Sequence, residues 1–295
     1  MNLKIMSLLP GFRYSSIAAP GLTGHDASRP ITVDVSQQIP RRQAGVTLRR
    51  GLAYHGRLRL DLLTPTRPGR YPLVVYLPGG GFAIAPRGTA RPEREFIAAA
   101  GYAVASAEYR IVRQGATYVE GLADIAAAIS YLADHAAELH IDPGRTAVWG
   151  ESAGGYLASM AGLTDARVTA VVDLFGASDL SRIGEGFDPR IQAAAAHPRH
   201  PVRRYRATEA NPIDHIGPSV PTFLILHGDD DRIIPPAQTQ LLHRALRTAG
   251  GDSTHYLLAG AGHGRLALSR RQAKQWTSQQ VMTIIKDFLD AHLRS

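Results

Sequence analysis

The sequence predicts an α/β fold: a mostly parallel sheet with helices on both faces, joined by an antiparallel strand pair on its N-terminal side. Three observations predict it. From Tyr71 onward, short apolar β-like runs alternate with helix-like segments, and repeated βα units close into a parallel sheet. Ahead of Tyr71, two alternating segments, 45–53 and 57–63, flank the turn candidate His55-Gly56. Between 178 and 219 the rhythm breaks for longer than an ordinary connection needs, and that stretch, rich in Pro, Arg and His, reads as a cap over the functional end of the sheet.

The elements follow in order. Residues 1–44 are rich in Gly, Pro and Ser and read as an N-terminal arm that wraps the domain or covers a site. Residues 73–77 are a short apolar strand, 92–100 a helix stopped by Gly101, and 102–106 the next strand. Ile125, Ile129 and Leu132 recur at helical spacing within a long amphipathic helix over 121–139. Strand 145–149 and helix 156–163 come next, then strands 168–175 and 222–227. Helix 237–248 is stopped by Gly250-Gly251, and strand 254–258 and helix 278–293 complete the chain. The 295 residues are read as one domain, long enough to bury a sizeable core.

Composition narrows the function classes. The chain has no cysteine, which excludes disulfides, thiolate zinc sites and a cysteine nucleophile. The net charge is +8, but the arginines are scattered; the densest groups are Arg41-Arg42, Arg49-Arg50 and 199–206. No basic helix with interleaved aromatics occurs, so no nucleic-acid partner is expected. No apolar run is long enough to span a bilayer, so no membrane partner is expected either. The apolar run 5–9 is too short for a signal-peptide core, and the expected location is the cytoplasm.

The stretch that carries chemistry is Gly150-Glu151-Ser152-Ala153-Gly154-Gly155. With 29 glycines in the chain, a Gly-x-Ser-x-Gly pentad arises by chance too readily to stand alone. Its place between a strand and a helix is what gives it meaning. A serine on so tight a turn presents its hydroxyl at the top of the sheet, at the positive end of a helix, so Ser152 is the candidate nucleophile.

A serine hydroxyl needs a base to take its proton, and the base needs an acid to orient it. Strand 222–227 runs into Gly228-Asp229-Asp230-Asp231, where three aspartates compete. Asp231 is preferred because it lies far enough past the strand to reach across to a histidine; Asp229 suits a local turn. After strand 254–258 comes Gly260-Ala261-Gly262-His263-Gly264, and His263, flanked by glycines on a post-strand loop, is the candidate base. His255 sits inside the strand pattern and is read as a packed or surface residue. The oxyanion of a tetrahedral intermediate needs preorganised N–H donors. Ala153, after the nucleophile, supplies one, and Pro78-Gly79-Gly80-Gly81-Phe82, directly after a buried strand, supplies others. No Gly-Lys-Ser/Thr follows those glycines, so a phosphate-binding loop is disfavoured.

Together with Glu108-Tyr109-Arg110, Asp124 and the run from Asp173 to Asp179, these motifs resemble the hormone-sensitive-lipase-like and feruloyl-esterase-like branch of the serine α/β-hydrolases, from about Gly45 to the C-terminus. The resemblance implies an α/β-hydrolase fold and a carboxylic ester hydrolase with no cofactor and no metal. It implies Ser152 as nucleophile, Asp231 and His263 as partners, and Gly80, Gly81 and Ala153 as oxyanion donors. The family usually has His-Gly-Gly-Gly, and Pro78 stands at the first position here, a departure that touches loop geometry rather than reaction class. Within the branch, the long arm and the overall sequence resemble esterases carried on bacterial resistance cassettes, some of which open the lactone ring of macrolide antibiotics. That implies a macrocyclic lactone substrate, in a wide cleft shaped by arm and cap, with Glu108, Glu151 or Glu185 offsetting the ligand's amine. Small aryl, acetyl or feruloyl esters are the alternative; a non-catalytic receptor and an amidase on the same fold are the competing classes.

Overall fold

The computed structural model of the chain describes residues 29–180 and 209–294. Among them, eight strands form one sheet in the order β1-β2-β4-β3-β5-β6-β7-β8. The strands are β1 (Val46–His55), β2 (Leu58–Pro65), β3 (Tyr71–Leu77), β4 (Ala103–Ala107), β5 (Ile141–Glu151), β6 (Val168–Leu174), β7 (Thr222–Gly228) and β8 (Ser253–Leu258). β1 pairs antiparallel with β2 and β2 antiparallel with β4; the strands from β3 to β8 pair in parallel. The helices are α1 (Arg91–Ala99), α2 (Tyr118–Asp134), α3 (Ala136–Leu139), α4 (Ala153–Thr164), α5 (Ala237–Thr248), α6 (Arg270–Trp276) and α7 (Gln279–Leu293). None is long and apolar enough to cross a membrane.

Side chains on successive strand residues point to opposite faces, and both faces are covered. On β3, Leu73, Val75 and Leu77 pack with Ile125 and Ile129 of α2, Tyr156 and Leu157 of α4, and Leu242 of α5. Val74 and Tyr76 face the other way, toward Ile97 of α1 and Ile285, Phe288 and Leu289 of α7. The central strands are therefore largely apolar, as a doubly covered parallel sheet requires, with Asp173 of β6 and His227 of β7 among the buried polar exceptions.

The structure departs from the sequence-based expectations at two helices and bears on the expected arm and cap. The long helix expected over 121–139 starts three residues earlier and breaks at His135. Its start is set by Thr117, whose Oγ1 accepts from the Val119 N–H at 3.2 Å, while Glu120 accepts from the Thr117 N–H at 2.6 Å. Helix α6 was not expected; Ser269 caps it by accepting from the Gln272 N–H at 3.2 Å. The described part of the arm joins the molecule at the carboxyl end of β8, the strand that leads into the His263 loop. Its Ile31 bridges to β8, with its N–H donating to the Leu257 carbonyl at 2.8 Å. Further on, Ile39 bonds Thr277 next to α7, and Arg42 reaches Glu95 on α1 at 2.9 Å, with Val33 and Ile39 buried along the way. The arm thus crosses one helical face from edge to edge. Of the cap expected over 178–219, residues 181–208 lie outside the described residues. Its two stems meet: the Leu180 N–H donates to Asn211 Oδ1 at 2.8 Å, and Tyr156 in the first turn of α4 donates to the Ala210 carbonyl at 2.6 Å.

Candidate active site

Ser152 stands between β5 and α4, where the chain reverses within one residue. Its backbone sits at φ 56° and ψ −119°, a region that costs a non-glycine residue about 1–3 kcal/mol. The turn is tied down by the Ser152 N–H donating to the Leu174 carbonyl at 2.9 Å and by the Tyr156 N–H donating to the Ser152 carbonyl at 3.0 Å. Close backbone approach explains the glycines. A Cβ on Gly150 would lie 2.0 Å from the Gly154 carbonyl oxygen, and one on Gly154 would lie 2.0 Å from that of Leu77. Gly150→Ala is expected to destabilise the protein by about 3 kcal/mol, or to leave none of it folded. Urea unfolding measures this, and a wild-type midpoint would contradict it.

The approach of Gly154 to Leu77 shapes the site, because it presses the start of α4 against the end of β3. A Cβ on Gly79 would lie 2.9 Å from the Glu151 carbonyl oxygen and 3.3 Å from Ser152 Cβ. The glycine loop after β3 is therefore locked beside the serine. Gly80 and Gly81 take φ 156° and 58°, and the Ala83 N–H turns back to the Gly80 carbonyl at 3.0 Å. The N–H of Ala153, first in its helix, has no carbonyl one turn back to bond to. Pro78 does not leave the loop unanchored: buried Tyr109 donates its hydroxyl to the Pro78 carbonyl at 2.6 Å.

The structure brings Ser152, His263 and Asp231 together. His263 Nε2 lies 2.8 Å from Ser152 Oγ, and its Nδ1 lies 2.7 Å from Asp231 Oδ2. A carboxylate only accepts, so the proton belongs on Nδ1 and Nε2 is left to accept the serine hydroxyl. The histidine is not free to swing, contrary to what its flanking glycines suggest. Its ring meets Phe175 edge-on at 4.8 Å, and a Cβ on Gly264 would lie 2.7 Å from that same phenyl ring. Trp276 of α6 packs on Phe175 at 4.6 Å and donates its Nε1–H to the Gly262 carbonyl at 2.9 Å. The unexpected helix α6 is thus part of the wall that fixes the histidine loop.

The three competing aspartates have separate roles. Asp231 Oδ1 accepts from the Ile233 and Ile234 N–H groups at 2.8 and 3.0 Å. Asp229 accepts from the Gly260 N–H at 2.6 Å and ties the acid loop to the histidine loop, rather than forming a turn of its own. Asp230 bonds Arg232 and Gln272. Burial pushes the Asp231 carboxyl up, but hydrogen bonds from His227 and His263 outweigh it and hold it well below the usual carboxylate range. Asp231 therefore stays ionised.

Sequence reasoning missed His227, whose Nε2 lies 3.2 Å from Asp231 Oδ2. It was visible as the first residue of His227-Gly-Asp-Asp-Asp231, but its position before the acid hid its contact. Of the carboxylates expected to offset a cationic ligand, Glu151 accepts from the Tyr76 hydroxyl at 2.7 Å and Glu108 is bound by Arg87 and the Arg59 N–H. Neither is unoccupied, and Glu185 lies outside the described residues.

Strand order, the antiparallel second strand and the one-residue turn from β5 into α4 are those of the α/β-hydrolase fold. The BD-FAE family profile matches residues 60–246, and the chain belongs to that family. It is 30% identical over 225 residues to esterase LipC of Mycobacterium tuberculosis, covering 68% of this chain and 54% of LipC. It is 28% identical over 191 residues to the probable carboxylic ester hydrolase LipM of the same organism, covering 58% and 44%. A probable isoprenylcysteine α-carbonyl methylesterase of Arabidopsis thaliana is 26% identical over 253 residues, covering 75% and 52%. The chain spans about half the length of these curated relatives. Among solved structures, a truncated carbohydrate esterase from gut microbiota superposes with a TM-score of 0.71 at 23% identity, covering 84% of this chain and 97% of that one. Thermogutta terrifontis esterase 2 gives 0.69 at 24% identity, covering 84% and 95%. These likenesses bear on the fold.

Proposed function

We propose that the protein is a serine carboxylic ester hydrolase that works through an acyl-enzyme on Ser152. The observation that carries this is the unbroken hydrogen-bond chain from Ser152 Oγ through His263 to Asp231. The esterase names of LipC and LipM support the same reaction class. Ser152 Oγ attacks the ester carbonyl carbon while His263 Nε2 takes its proton. The carbonyl oxygen becomes an oxyanion, received by the N–H groups of Gly80, Gly81 and Ala153. Collapse of the tetrahedral intermediate breaks the ester C–O bond, and the departing alkoxide takes the proton from His263. Water then attacks the acyl-enzyme with His263 again as base, restoring Ser152 and releasing the acid. Asp231 holds the imidazole tautomer throughout and does not itself become protonated.

The substrate we propose is a macrolide lactone. Two things support it: the resemblance to cassette-borne esterases, and the exposed apolar side chains of Ile84, Leu266 and Leu268 on the loops that also carry Gly80-Gly81 and His263. Such side chains suit a bulky apolar ligand. In a lactone the alcohol stays tethered after acylation, so the product gains one water and no fragment leaves. Incubation with a panel of macrolides and short aryl esters, read by mass spectrometry, tests this. Addition of one water to a macrolide, absent with Ser152→Ala, is the expected result. Hydrolysis of short acetyl, aryl or feruloyl esters alone would replace the macrolide by that smaller class. A fluorophosphonate probe separates an enzyme from a receptor on the same fold, because only an activated serine reacts; comparing an ester with its matched amide separates an esterase from an amidase.

A further inference from the structure

Asp231 is gripped by a second histidine that the chemistry above does not use. His227 lies near the end of β7 with its side chain wholly buried. Its Nε2 faces two acceptors, the Ile234 carbonyl at 2.9 Å and Asp231 Oδ2 at 3.2 Å, so the ring proton belongs on Nε2. Nδ1 is then an acceptor, and Thr239 Oγ1 of α5 lies 2.8 Å from it. The same hydroxyl is 3.2 Å from the Pro236 carbonyl; the shorter contact takes its proton. His255 Nε2 of β8 lies 3.1 Å from Thr239 Oγ1 and donates to it. The bonds run in one direction, from His255 through Thr239 and His227 to Asp231, and such chains polarise one another in a dry interior.

Two carboxylate oxygens divide the work. Oδ1 is pinned by the two backbone N–H groups of Ile233 and Ile234, while Oδ2 receives both His263 and His227. We propose that His227 is a positioning residue of the reaction: its Nε2–H shares Oδ2 of Asp231 with His263 and so limits how strongly Asp231 draws the His263 proton. The proposal rests on the roles assigned above to Ser152, His263 and Asp231. The other charged or titratable groups facing His227 are Asp173 from β6 and His255 from β8. Burial pushes the Asp173 carboxyl up to about 6 and holds His255 far below the ordinary histidine range. His243 of α5, stacked on His255 at 5.6 Å, is held at about 4 by burial and by Arg247 and Arg244. These two histidines are neutral at working pH and add no charge of their own.

The test is the pH dependence of kcat/KM for a p-nitrophenyl ester in wild type, His227→Leu, His227→Gln and Thr239→Val, with melting temperatures recorded alongside. His227→Leu leaves Oδ2 to His263 alone, so the imidazole holds its proton more tightly. The acid limb is expected to move up by about half a pH unit or more, with kcat down about tenfold and KM within twofold. His227→Gln keeps an N–H donor at the same reach and is expected to return the limb to its wild-type position. Thr239→Val removes the hydroxyl that sets the His227 tautomer, and its limb is expected to move the same way by less. It also carries the test should the leucine variant fail to fold. Titration of the His263 ring by 15N NMR reads the same shift without turnover, so failure of the ester reading, seen as loss of fluorophosphonate labelling, stays distinguishable from failure of this one. An acid limb and an NMR titration unmoved in both the leucine and the valine variants, whatever their melting temperatures, would overturn the proposal and leave His227 with a packing role.

Discussion

Ser152→Ala is expected to lower ester turnover by about 10⁵-fold or more and to leave the protein folded. The size follows from what is lost. Alanine removes the atom that forms the acyl bond, so His263 and Asp231 have nothing to activate, and only binding and the oxyanion donors remain. Folding is spared because the turn does not depend on the hydroxyl: the bonds that hold it run through the backbone of Ser152, to Leu174 and from Tyr156. Alanine keeps a Cβ at φ 56°, so the strain stays as well. Ser152→Gly separates the two effects. It is equally inactive, but it relieves the positive φ and is expected to raise stability by about 1 kcal/mol. Steady-state kinetics with a chromogenic ester and urea unfolding of the three proteins check both statements.

Asp231→Asn is expected to lower turnover by about 10⁴-fold, nearly as much, although it changes one atom that touches no substrate. Oδ1 is pinned by the Ile233 and Ile234 N–H groups, so the asparagine must keep its carbonyl oxygen there. Its NH₂ then falls where Oδ2 was and points at His263 Nδ1 and His227 Nε2. His263 must turn its Nδ1 into an acceptor, which puts the ring proton on Nε2, facing the serine hydroxyl it is meant to deprotonate. His227 is left with two donors opposed. The pH dependence of stability gives an independent check. Asp231 has a folded-state pKa below its unfolded value, so its contribution is present above about pH 4 and is lost progressively as pH falls below that. The stability gap between wild type and Asp231→Asn is expected to narrow on acidification. A gap constant from pH 7 to pH 3 would contradict this electrostatic account.

Most of the sheet was legible in the sequence because its strands are short apolar runs separated by glycine and polar turns. The chain order of Ser152, Asp231 and His263 was legible because each follows directly after a strand that reads clearly. What was hidden is instructive. Thr117-x-x-Glu120 marks the start of α2, but no apolar periodicity leads up to it. The Ser269 cap of α6 follows the two most exposed leucines among the described residues, Leu266 and Leu268, which carry no helical pattern. The glycines around His263 suggested mobility. Packing against Phe175 shows that Gly264 is small because a ring occupies the space. His227 could be read only as one histidine among twelve. Its role depends on the acid loop curling back over the end of its own strand, which no local pattern encodes. The arm's composition suits either a wrap or a cover; its described part wraps, because Val33 and Ile39 find their apolar partners on the α1–α7 face.

The most direct measurement of the central claim is rapid-quench mass spectrometry after mixing the protein with a slowly deacylating p-nitrophenyl ester. One acyl group is expected on the peptide that contains Ser152, with loss of the adduct in Ser152→Ala and much slower formation in His263→Ala. Ester hydrolysis at the wild-type rate in Ser152→Ala, or an acyl group that accumulates on a different residue, would contradict it.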